Sequence, residues 1–334
     1  MTPINNKRLD QLDMAKGYGI LLVILGHIIK ANPYSSLIYS FHMPMFLFLS
    51  GIVYRSNVDF VSFVKEKAKS LLIPYVLFGL LLAAWGILAE TLKSGFRLQT
   101  VWGELEGLIL QRQWTSAWFL PCLFLTSVIY HLLRRTIPKR SALVLLLCAV
   151  SVAMRLYYRY VGVILPWNLD RALAGLIFFG AGEWFHERRL QEWIGATKRR
   201  AALIAAASLL LLVSCHLLFT NEFSGLLDFS HGCFPSGTHL AAFFGIVMVV
   251  AVASLGSNRA ILYVGRNSLY YFAIHQRVVI ATVQFAFNRL GVLQEGTAYV
   301  IGCVLIFAAC LVVCTVFSMI VHSLKKRMSL VHET

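Results

Sequence analysis

The chain has 334 residues, 58% of them apolar and only 13% charged, with 30 Lys and Arg against 15 Asp and Glu. A soluble domain carries about a quarter charged residues, so this composition excludes a disordered chain, a coiled coil and an ordinary soluble enzyme. The net charge of +15 would suit a nucleic-acid binder only on a polar surface; here the basic residues lie between long apolar runs, so the expected partner is the lipid bilayer and no nucleic acid.

A spanning helix needs roughly 20 mostly apolar residues. In chain order the runs predict ten such helices: 15–31, 37–54, 70–90, 116–133, 141–158, 169–185, 201–219, 237–255, 268–288 and 297–321. The fold class is therefore all-α, a polytopic integral membrane protein with one membrane-embedded domain over 1–334. Residues 1–14 form a leader and 322–334 a tail. A shorter amphipathic stretch, 101–111, reads as an interfacial helix. The first apolar run follows a polar leader and has no small-residue cleavage site after it, so no cleavable signal peptide is expected. Seven cysteines without a C-x-x-C pair give neither a disulfide framework nor a zinc site.

Orientation follows from the basic residues of the connections. With the N-terminus in the cytoplasm, the inner segments hold twenty Lys and Arg and the outer ones seven. That bias places both termini in the cytoplasm. No connection is long enough for a soluble catalytic domain, so the helices and short loops must supply the chemistry.

Ionisable side chains inside membrane helices are costly and point to function. In the first helix Lys16 and His27 are 11 residues apart, about three turns, so they share one face about 16 Å apart along the axis. Asp13 precedes Lys16 by three residues and can pair with it. His42 falls inside the second predicted helix, with Pro44 beside it, and the short connection makes it a neighbour of His27. Two imidazoles without a carboxylate or thiolate make a poor metal site, so no metal is expected. His275 lies near mid-membrane on the ninth helix. Arg155 and Arg159, one turn apart, join Asp170 and Arg171 at the outer side, where His216, His231 and His239 also belong. Snorkelling anchors and satisfied core histidines would look the same in the sequence.

The motifs resemble a known family. Asp13-x-x-Lys16-Gly17, followed by Gly26-His27, resembles the signature of the membrane acyltransferase family 3, in which a basic residue stands eleven positions before a histidine. Phe41-His42-Met43-Pro44-Met45-Phe46 through Leu49-Ser50-Gly51, Trp118-Phe119-Leu120-Pro121, and Gly265-Arg266-Asn267-Ser268 through Ile274-His275 resemble later blocks in the family's order. They are most similar to the branch related to fucose 4-O-acetylases. Lys16 stands where the family commonly has Arg, which keeps the charge and loses the bidentate fork. The soluble esterase-like domain of some relatives is absent.

The resemblance implies a multi-pass enzyme of the bacterial plasma membrane that moves an acyl group, most often acetyl, from acyl-CoA to a hydroxyl of a cell-surface or lipid-linked carbohydrate. Acetyl-CoA would be a co-substrate rather than a resident cofactor. His27 would be the general base, with His42 or His275 as orienting partner or oxyanion donor. Lys16, Asp13 and Arg266 are the candidates for holding the donor's phosphates; Arg155, Arg159 and Arg171 are the candidates for the acceptor. The same histidines would serve a proton-coupled transporter or flippase, although the two halves show no internal repeat.

Overall fold

The computed structural model describes residues 6–29, 33–111, 116–218, 236–289 and 297–332. Among them every regular element is a helix. His231 lies outside the described residues. The chain packs as two compact units, Met1–Ser35 with Ser257–Thr334, and Ser36–Gly256.

The first unit contains α1 (Asn6–Ile28) and the C-terminal helices. Residues 6–14 of the leader belong to α1. The expected span 268–288 is assembled from α14 (Ser268–Ile274), a π-helical turn (His275–Ile280) and α15 (Ala281–Arg289). Before it comes the short α13 (Arg259–Arg266), capped by Asn258, whose side-chain carbonyl accepts the Ala260 and Ile261 amides. The long α16 (Thr297–His332) closes the chain.

α1 and α13 cross with their backbones nearly touching. A Cβ on Gly17 would collide with the Ile261 carbonyl, and one on Gly265 with the Asp13 carbonyl. Small residues at such crossings are how membrane helices gain packing when lipid is as apolar as leucine. Gly265→Ala gains about 1 kcal/mol of helix propensity but meets a backbone that must move, at about 1–3 kcal/mol. We expect thermal unfolding of purified protein to show a net loss for this variant. Gly256, with nothing within 4 Å of its added Cβ, is the control whose alanine variant should unfold at the wild-type temperature.

α16 packs on α14 through a stripe of small residues. Cys303, Cys310, Cys314 and Ser318, with Ile306, are all buried at helical spacing. Tyr271 meets Thr315 at 2.5 Å and Tyr263 meets Ser318 at 2.7 Å. Three of the seven cysteines are therefore packing residues of one helix face.

The second unit is built on α9 (Leu169–Glu187), which is buried over most of its surface. Against it pack α3 (His42–Ile52), α7 (Phe119–Thr136) and α8 (Arg140–Tyr160), while α11 (Lys198–Leu218) pairs with α12 (Ser236–Ala253). α3 crosses α9 as closely as α1 crosses α13: a Cβ on Gly182 would strike the Phe48 carbonyl. The unit also holds α2 (Pro33–Tyr39, shared with the first unit), α4 (Phe60–Lys67), α5 (Ile73–Ser94), α6 (Leu98–Leu110) and α10 (Leu190–Ile194). Asp59 caps α4 by accepting the Ser62 amide at 3.0 Å. Hydrogen bonds from the Ser62 side chain and amide hold its carboxyl below the usual carboxylate range.

Five helical segments are long and apolar enough to cross a bilayer: Ser35–Ile52, Phe60–Ser94, Arg140–Tyr160, Lys198–Leu218 and Thr297–Arg327. They expose Leu77, Leu145, Leu210 and Val312, the pattern of helices whose solvent is lipid. The chain is a membrane protein. The other five expected spans fall on α1, α7, α9, α12 and the α14–α15 assembly, all of them helical.

Two sequence expectations change. The predicted helix 37–54 is not continuous: α2 ends at Tyr39 and α3 begins at His42, so His42 opens a helix instead of standing inside one. Pro44 is the cause, since its ring would clash with the Ser40 carbonyl four residues back. His27, likewise, stands in the last turn of α1. The amphipathic stretch 101–111 falls on α6 and its C-cap Gln111. α6 folds back along α5, its end tied to the start of that helix by a hydrogen bond from the Tyr75 hydroxyl to the Leu108 carbonyl.

Candidate active site

In the first unit the last turn of α1 brings His27 beside the π-helical turn that begins at His275. The two rings lie 5.2 Å apart, centre to centre, tilted by 40°. His275 is fully buried. Its Nδ1 lies 3.0 Å from both the Tyr271 and the Phe272 carbonyl oxygens. Carbonyls only accept, so Nδ1 carries the proton and Nε2 keeps a lone pair. Nε2 is buried with no hydrogen-bond partner among the described residues. The pair can therefore take and hand on a proton: one imidazole in a fixed tautomer, the other half-buried against it. π-Helical turns recur at functional sites, and this one presents the histidine.

About 16 Å from His27 along α1 is the charged end of the same unit. Asp13 Oδ1 lies 3.2 Å from Lys16 Nζ, and its Oδ2 lies 3.4 Å from Arg266 Nε. Arg266 also meets Asp10 at 2.7 Å. The cluster is charge-balanced, two cations to two carboxylates, and it clamps α1 to α13 over the glycine crossing. Side-chain exposures of 37% for Lys16 and 58% for Arg266 leave both able to donate further bonds outward. The structure thus brings the neighbours Asp13 and Lys16 together with Arg266, 253 residues after Asp13. Asp10, which completes the set, is a residue the spacing argument missed; its signal was the i, i+3 repeat of carboxylates before Lys16.

His42 belongs to the second unit. It is buried, and its Nδ1 donates to the Ile38 carbonyl at 3.0 Å, beside Tyr39. The acceptor candidates divide. Arg171 is buried with its guanidinium 4.5 Å over the Trp118 ring. Arg155 is half-buried and Arg159 exposed, lying over Tyr160; neither makes an ion pair among the described residues. His216 meets Ser36 at 3.2 Å, and His239 meets Ser151 at 2.8 Å with Phe178 stacked on its ring. Each of these two histidines packs with its Nε2 against a serine hydroxyl.

Sequence reasoning also missed Glu183. This buried carboxylate on α9 accepts from the Tyr130 hydroxyl at 2.5 Å, Arg140 at 2.9 Å and Arg134 at 3.4 Å. Arg140 also holds Glu187 at 2.7 Å. The arginines were legible only as topology signals; their shared partner, thirteen residues after Asp170 near the C-terminal end of α9, has no local motif.

Comparison with known proteins fits the motif order. The model of a family described as an acyltransferase domain, the acyltransferase family 3, matches residues 9–319. The chain belongs to this family. Among curated proteins it is similar to the nodulation protein NolL of Mesorhizobium japonicum, 32% identical over 165 residues, which cover 45% of this chain and 42% of that protein. It is also similar to the nodulation protein NolL of Sinorhizobium fredii, 30% identical over 177 residues, 46% of each. The matched part spans less than half the length of either relative. No solved structure matches the chain.

Proposed function

We propose that this acyltransferase moves an acetyl group from acetyl-CoA to a hydroxyl of a cell-surface or lipid-linked carbohydrate. The observation that carries the reading is the His27–His275 pair, set about three turns from a cationic mouth on one helix face of a family acyltransferase.

His27 takes the acceptor's hydroxyl proton as the alkoxide attacks the thioester carbonyl. The new C–O bond forms, the C–S bond breaks, and the proton passes from the imidazolium to the departing thiolate. His275, with Nδ1 locked on two carbonyls, presents its Nε2 lone pair toward the buried site and orients its partner. Lys16 and Arg266 use their remaining donors on the donor's phosphates while Asp13 keeps them in place. The pantetheine arm then reaches from that mouth toward His27. This reading places both termini in the cytoplasm of a bacterial plasma membrane, with the acceptor entering from the opposite side.

The test uses purified full-length protein in phospholipid nanodiscs with radiolabelled acetyl-CoA and surface glycan freed of its esters by mild alkali. Label should enter the glycan and leave it again on mild alkali treatment, as an O-ester does. Absence of alkali-labile label from the glycan would overturn the reading.

A further inference from the structure

At the end of α6, the second unit contains non-helical backbone enclosed between membrane helices. Three non-glycine residues there adopt left-handed conformations: Gln111 (φ 45°), Trp167 (φ 56°) and Asn168 (φ 52°). Gln111 ends α6, and the other two lie in the turn before α9. Irregular backbone at membrane depth persists where it is buried in protein or lines a polar cavity. Here the last carbonyls of α6 are claimed one by one by side chains from elsewhere. Tyr75 donates to Leu108, the Trp167 indole to Ile109 at 2.9 Å, and the Asn168 amide to Gln111 at 2.5 Å. Each of these bonds satisfies one carbonyl of the helix end.

Two acceptors are left over, beside a buried guanidinium nitrogen, Arg171 Nε, that makes no hydrogen bond among the described residues. The side-chain carbonyl oxygens of Gln111 and Asn168 are buried without a hydrogen-bond partner among the described residues. Turning either amide over does not help. The Asn168 nitrogen is fixed by the Gln111 carbonyl, and the Tyr75 hydroxyl that faces the Gln111 amide already gives its proton to Leu108. Beside them Asp170 has both oxygens engaged, by the Tyr158 hydroxyl at 2.5 Å and the Leu165 amide at 3.0 Å. Arg171 lies over the face of Trp118, which is half-buried and forms the accessible side of the cluster.

The charges of Asp170 and Arg171 balance, and the negative end of the α6 dipole meets the positive ends of α7 and α9, which start at Phe119 and Leu169. The site therefore has no net preference for an anion, and two of its three buried atoms without a hydrogen bond are acceptors. A neutral ligand rich in hydroxyl donors fits, and it would offer its C–H face to the Trp118 ring. Measured along α9 and α7, this cluster lies roughly 18–24 Å from Glu183 and Arg134, at the far end of both helices.

We infer that Gln111 and Asn168, with Trp118 and Arg171, form a binding site for a neutral polyhydroxyl group of the acceptor. The identity of the ligand as an acceptor rests on the proposed function; its hydrogen-bond character does not. The test uses the full chain in nanodiscs, which avoids sugar-based detergents, with methyl glucoside and methyl fucoside as neutral probes and glucuronate as an anionic one. Binding is read by saturation-transfer NMR titration.

Gln111→Met removes the amide at constant length, and Asn168→Gly removes it while keeping the left-handed backbone. Each should weaken neutral-glycoside binding at least tenfold, leave acetyl-CoA binding unchanged, and raise the acceptor KM without lowering kcat. Unchanged glycoside affinity in both variants overturns the inference, as does tighter binding of glucuronate than of the neutral probes. Wild-type protein that binds no glycoside, with Gln111→Met gaining stability, overturns it too, because the carbonyls then only hold water. If the variants lose glycoside binding but the wild type transfers no acetyl group, the site stands and the proposed reaction falls.

Discussion

Replacing His27 by alanine is expected to lower acetyl transfer by roughly 10²–10⁴-fold, the contribution of a positioned general base, while the yield of folded protein stays at the wild-type level. His27 is half-buried at the end of α1, outside the backbone crossing that holds its helix, so truncation removes little packing. His275→Ala should lower transfer too, by changing the pH dependence as well as the rate, because its fixed tautomer sets what His27 can exchange protons with. The check is single-turnover transfer from labelled acetyl-CoA alongside size-exclusion of the purified variants. A His27→Ala protein with wild-type transfer would remove the histidine from the reaction altogether.

The second large effect is on stability. Glu183 is buried at 5% side-chain exposure between two arginines and the Tyr130 hydroxyl. Glu183→Ala leaves partly buried cations without their partner, a loss worth about 3–5 kcal/mol when a buried pair is broken on one side. Glu187 also meets Arg140, but it is 45% exposed, and Glu187→Ala should cost no more than about 1 kcal/mol. Thermal unfolding of the two purified variants separates them. Equal midpoints would show that the Glu183 network contributes nothing beyond a surface ion pair.

How much of this was legible beforehand depends on the range of the signal. Helices with long apolar runs were readable because the bilayer enforces their length, and five of them are long and apolar enough to span. The pairing of Lys16 with Asp13 was readable because helix periodicity fixes neighbours three residues apart. His42 was misplaced because the apolar count runs through Ser40 and Phe41, whereas Pro44 forbids the continuous helix. The approach of His27 to His275 joins positions at opposite ends of the chain; only the family's block order hinted at it. Gln111, Asn168 and Glu183 had no signal at all, since each acquires its meaning from side chains more than forty residues away.

The first unit joins one helix from the beginning of the chain to four from its end. During synthesis α1 enters the bilayer more than 200 residues before its packing partners exist, a wait of roughly 10–50 s at ribosomal speed. Throughout that interval the backbone at Gly17 faces lipid, and Arg266 is not yet made to balance Asp13. Among the described residues, the local pair of Asp13 with Lys16 is a charge compensation that α1 carries with it. It lets a helix bearing the candidate histidine survive alone in the membrane until its packing partners arrive.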